Sequence, residues 1–162
     1  MNATLYEPVP PGGTYVLPAR RSHPLLRLLA SFPIACFSCA LLTDIAYTRT
    51  ANMLWSDFSD WLLAAGMAGG VLAAIVGIGS LFGDRRGHST GAAIITVLGT
   101  LLVLAAGFLN NLVHSRDAWT SVMPEGIALS AITVVFILLT IWLAALANRR
   151  RADAIVPPGV RV

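Results

Sequence analysis

At 162 residues, with 56% apolar and only 12% charged side chains and a mean hydropathy of +0.74, the chain is too hydrophobic for a water-soluble domain and reads as an integral membrane protein. Its net charge of +3 comes wholly from arginine, since there is no lysine. The arginines sit beside apolar runs, where they orient a chain in a bilayer, and this excludes a nucleic-acid role.

Residues 1–22 hold Pro8, Pro10, Pro11, Gly12, Gly13 and Pro18 and read as a flexible cytoplasmic arm that cannot build a core. They contain no apolar core of a cleavable signal, so the first hydrophobic run is expected to remain as an anchor. That run is the first span, about 24–47. The 21 steps from His23 to Asp44 cover about 31 Å as a helix, the thickness of a hydrocarbon layer, and place these two residues near opposite faces of the membrane. Pro33 lies mid-span and frees the carbonyl of Leu29, which predicts a kink packed against protein. Cys36 and Cys39 read as small apolar fillers with no metal or redox partner at their depth.

A polar connector over Thr48–Asp60 follows, with Trp55 and Trp61 as interfacial anchors, and leads to a second span at about 61–82. The short return Gly83–His88 forces an antiparallel neighbour, a third span at about 90–113. Its exit loop carries His114, read as a surface residue, with Arg116, Asp117 and Glu125. The fourth span covers about 127–147 and stops at Arg149–Arg151, leaving residues 149–162 as a cytoplasmic tail. The expected fold is all-α, one transmembrane domain over 23–148: a four-helix bundle running up-down-up-down.

Nine arginines (20, 21, 27, 85, 86, 149, 150, 151 and 161) fall on one side and two, Arg49 and Arg116, on the other. Both termini are therefore expected in the cytoplasm. The phrase Arg20-Arg21-Ser22-His23 before the first span returns as Arg85-Arg86-Gly87-His88 before the third. This is either a two-hairpin repeat or the ordinary gathering of arginines at cytoplasmic boundaries.

Small residues form packing seams along the last three spans: Gly66, Gly70, Ala73 and Gly77, then Ala92, Thr96, Gly99, Ala106 and Asn110, then Gly126, Ser130, Thr133, Thr140 and Ala144. They imply a compact bundle, or one that also pairs as a homodimer. His88 and Asn110 share a face of the third span, and Asn110-Asn111 falls at the level of Asp44. A hydrogen bond from Asp44 to Asn110 or Asn111 is the structural reading of that level, and a quinone-headgroup site the functional one.

His23 and His88 are expected at equal depth on diagonal helices, where two imidazoles could ligate a b-type haem iron. Arg27, Arg85 and Arg86 would then suit haem propionates, or equally lipid headgroups. No motif for hydrolysis, nucleotide binding or thiol chemistry occurs, and Asp84 with His88 is too little for zinc. The second to fourth spans as drawn hold no charge at mid-membrane, which disfavours proton-coupled transport.

His23-Pro24, then Phe32-Pro33, then a leucine-rich stretch ending in Asp44, with Trp61–Gly66 and His88, resembles the bacterial four-helix membrane proteins of domain of unknown function 2231 over about residues 22–147. That family has no settled activity. The resemblance implies a bacterial membrane protein; some members are joined to Rieske iron–sulfur or cytochrome c domains, which implies a place near electron transfer for those members only. The chain departs from the pattern at Leu143–Asn148, where relatives often carry Gly-Gly and Tyr-x-His. Two functions remain open, neither making the chain an enzyme on its own. One is an electron-transfer module binding haem b or a quinone and serving a redox protein. The other is a non-catalytic anchor packing a partner through its small-residue seams.

Overall fold

The computed structural model describes residues 24–83, 90–116 and 121–155. Four helices account for most of them: α1 Pro24–Thr50, α2 Met53–Gly83, α3 Thr90–His114 and α4 Glu125–Ile155. No strand occurs among the described residues. Each helix is long and apolar enough to cross a membrane, and a helix is the form in which a single apolar segment can satisfy its own backbone in lipid. Large side chains crowd the outside, with Trp61 77% and Leu28 70% exposed, as expected where acyl chains rather than water complete the packing.

Contacts along the chain fix the directions. Gly66 of α2 lies against Cys36 and Phe37 of α1, Gly69 against Phe32 and Gly70 against Pro33, so residue numbers rise in one helix as they fall in the other. The same antiparallel relation joins α2 to α3 through Gly70 with Leu104 and Met67 with Gly107. It joins α3 to α4 through Gly99 with Thr140 and His114 with Gly126. α1 packs most extensively on α2, and α3 on α4, with the seams between these two hairpins less extensive. Phe37, Ala40, Leu63 and Ile137 form the buried core, flanked by Ile34, Leu62, Met67 and Val103.

Pro33 is buried inside α1 and faces Gly70, so the gap in the backbone ladder is covered by α2. Gly66 and Gly70 are consumed by these close approaches, which any added Cβ would tighten to 3.1 Å or less, while Ala73 and Gly77 line a cavity between the hairpins. The connector between α1 and α2 is far shorter than the sequence suggests. α2 starts at Met53, and residues 53–60, read as loop, are its first two turns. The turn is Ala51-Asn52: Ala51, at φ 51°, closes α1 by donating its N–H to the Tyr47 carbonyl at 2.8 Å. The Asn52 side chain then accepts the Leu54 N–H at 3.0 Å and caps α2.

Candidate functional site

The turn end of the bundle, where α1 meets α2, holds a polar cluster drawn from all four helices. Asp44 of α1 is fully buried at its centre. Its Oδ1 accepts the Ser59 hydroxyl of α2 at 2.5 Å and lies 3.0 Å from Nε2 of His114 on α3. Its Oδ2 accepts the Ser130 hydroxyl of α4 at 2.5 Å, and Ser130 in turn accepts Nδ2 of Asn110 at 2.8 Å. Thr43 reaches Ser59 at 2.7 Å, and Ser56 meets Ser121 at 3.3 Å. Three hydrogen-bonding groups from three helices thus converge on one carboxylate, which is how a charge removed from water is kept satisfied.

The register explains the convergence. Ser56, Ser59 and Leu63 follow the 3–4 spacing of one helix face, as do Asn110 and His114 on α3 and Gly126, Ser130 and Thr133 on α4, and all eight are buried. Gly126 is needed there because a Cβ would meet His114 Cε1 at 2.7 Å and collide with the Ser121 carbonyl. Among the described residues no group of three or more His, Cys, Asp or Glu side chains is placed to hold a metal.

The opposite half of the bundle contains an apolar cavity of about 380 Å³ between the hairpins, reaching from Leu26 and Asn148 to Phe37 and Leu104. Its polar lining is Thr96, Thr100, Thr140 and Asn148. Thr96 and Thr140 turn their hydroxyls back onto the carbonyls of Ala92 and Phe136, so the wall presents mostly carbon.

Residues 22–152, which take in all four helices except the last turn of α4, match the family described as "Predicted membrane protein (DUF2231)". The chain belongs to this family. No curated protein and no solved structure matches it.

In this DUF2231 protein the residues singled out in the sequence fall unequally. His23, Arg85, Arg86 and His88, and with them the repeated Arg-Arg phrase, lie outside the described residues. Arg27 is exposed on the first turn of α1. Asp44 and Asn110 are both fully buried in one network, but the link between them runs through Ser130 rather than through a direct bond, because α4 inserts its hydroxyl between them. Asn111 turns away and donates to the Gly107 carbonyl of its own helix at 2.9 Å.

His114 requires correction. Expected at the surface, it is 2% exposed and bonded to Asp44. α3 continues one residue beyond the predicted span, which puts His114 four residues after Asn110 on the same inward face. That i, i+4 relation was the available signal. Ser59 and Ser130 gave none, since Ser59 fell in the segment read as a connector and Ser130 reads equally well as a small packing residue.

Proposed function

We propose that this multi-pass membrane protein is an electron-transfer module that holds a lipid-soluble redox ligand between its two hairpins, with both termini in the cytoplasm and the bundle in a bacterial inner membrane. The observation that supports it is the apolar cavity of about 380 Å³, a size and lining suited to a hydrophobic ring or chain entering from the bilayer. It occupies the half of the bundle to which the sequence assigns His23, His88 and the arginine pairs. Among the described residues the lining contains no iron ligand, so a quinone is the ligand those residues favour. The haem b reading depends on His23 and His88, with Arg27, Arg85 and Arg86 for the propionates. The anchor reading is weakened by the inward use of Gly66 and Gly70, which are buried against α1 and α3.

The test is the absorption spectrum of full-length protein purified in mild detergent from cells supplied with haem, together with mass spectrometry of its organic extract. A quinone in the extract, lost on Ala74→Phe within the cavity wall, supports the quinone reading. A Soret band lost in His23→Ala and His88→Ala supports haem. A colourless protein with only bulk phospholipid contradicts both and leaves the anchor.

A further inference from the structure

Both ring nitrogens of His114 face acceptors. Nδ1 lies 3.1 Å from the Asn110 carbonyl oxygen and Nε2 3.0 Å from Asp44 Oδ1. A neutral imidazole offers one N–H and one lone pair, and an ionised carboxylate only accepts. A neutral ring beside an ionised Asp44 therefore turns a lone pair onto one of the two oxygens. One further proton removes the conflict. Either the imidazolium donates from both nitrogens, or Nδ1 donates to Asn110 while a protonated Asp44 donates from Oδ1 to Nε2. The two arrangements carry the same net charge, zero, and differ only in which side of a 3.0 Å contact holds the proton. A neutral unit is also what a site shielded from water tolerates best, and Asp44 is 0% and His114 2% exposed.

The surroundings hold this unit in place and give it an outlet. Ser59 and Ser130 spend their hydroxyl protons on Asp44, fixing the carboxyl plane and leaving Oδ1 directed at the ring. Asp60, the residue after Ser59, is half-buried, has a shielded Oδ1 with no hydrogen-bond partner, and interacts electrostatically with His114, Asp57 and Asp44. The Asn110 side-chain oxygen is likewise shielded and without a partner. Around the pair, α1 contributes Asp44 and, three residues on, the buried Tyr47; α2 contributes Asp60 and, farther out, Asp57. α4 contributes the Ser130 hydroxyl, and its Glu125 is engaged with Arg116 at 2.7 Å in an exposed pair.

We propose that Asp44 and His114 form a buried binding site for a single proton, which exchanges with water by way of Asp60. On release the proton passes from the Nε2–Oδ1 contact through an intervening water to the Asp60 carboxyl, and from the exposed side of that half-buried residue to bulk water, leaving the pair with one negative charge. Uptake runs in reverse. Release leaves the ring one N–H for two acceptors, so it gives up either its bond to Asp44, which ties α1 to α3, or its bond to the Asn110 carbonyl, and either loss loosens the turn end of the bundle.

The experiment uses full-length protein in lipid nanodiscs, with ring-15N histidine followed by NMR and the carboxyl bands by infrared spectroscopy across pH, Asp44→Asn and His114→Gln providing the assignments. The expected result is one midpoint shared by the His114 ring and the Asp44 carboxyl, with the ring midpoint displaced by about one pH unit or more in Asp44→Asn. Asp60→Asn, which leaves the Asp44–His114 contact in place, serves if Asp44→Asn does not fold. It slows exchange of the Nε2 proton with water by at least about tenfold. Separate midpoints for ring and carboxyl, a ring indifferent to Asp44→Asn, or wild-type exchange in Asp60→Asn would overturn the proposal.

Discussion

Asp44 and His114, 70 residues apart in sequence, meet at 3.0 Å inside the bundle and tie α1 to α3 across a ring of four helices. With Ser59 from α2 and Ser130 from α4 on the same carboxylate, this one contact point engages every helix. Removing either partner leaves the other buried without its ionic partner, Asp44 held only by the two serine hydroxyls and His114 only by the Asn110 carbonyl. Asp44→Ala or His114→Ala is therefore expected to destabilise by about 3–5 kcal/mol. Arg116→Ala, which breaks a bridge whose two side chains are 58% and 60% exposed, is expected to change stability far less. Thermal unfolding in detergent, compared across the three variants, reads the difference.

The packing of α3 on α4 at Gly99 makes a second prediction. A Cβ on Gly99 would collide with the Thr140 side chain, so Gly99→Ala forces α3 from α4 and is expected to cost about 1–3 kcal/mol. Trimming the obstacle in Gly99→Ala/Thr140→Ala should restore much of the loss. At Gly79 an added Cβ meets nothing within 4 Å, and Gly79→Ala should be neutral or stabilising by about 0.5–1 kcal/mol through helix propensity. The same unfolding assay distinguishes them, and equal losses at both positions would contradict the packing described.

Much of this architecture was legible because lipid leaves a chain few options. Uncharged runs of sufficient length announce four helices, and the shortness of the returns makes neighbours antiparallel. The start of α2 was not legible. Ser56, Asp57, Ser59 and Asp60 look like a loop by composition, yet they occupy a helix in which Ser56 meets Ser121, Ser59 meets Asp44, Asp57 is exposed and Asp60 half-buried. Hydropathy counts a serine the same whether it faces water or a buried carboxylate. Asp44 could be recognised as a residue needing a partner at its depth. Which partner it takes depends on the rotation of three other helices, and a one-residue difference in the end of α3 decided whether His114 counted as loop or interior.

The two asparagines offer a test of that distinction. Asn110 is fully buried and donates to Ser130 of another helix, whereas Asn111 donates to a carbonyl of its own helix. Asn110→Ala should lower the unfolding midpoint clearly, by the loss of an interhelical hydrogen bond of about 0.5–2 kcal/mol. Asn111→Ala should lower it by less. Reversal of that order in unfolding measurements would place the wrong residue in the network.

A double-mutant cycle on Asp44 and His114, measured by reversible unfolding of the full chain in lipid nanodiscs, tests most directly whether these two side chains hold the bundle together. The predicted result is strong non-additivity, with Asp44→Ala/His114→Ala costing less than the sum of the single variants by about 1–3 kcal/mol. Additivity to within about 0.5 kcal/mol would show that the two do not interact and would contradict the account.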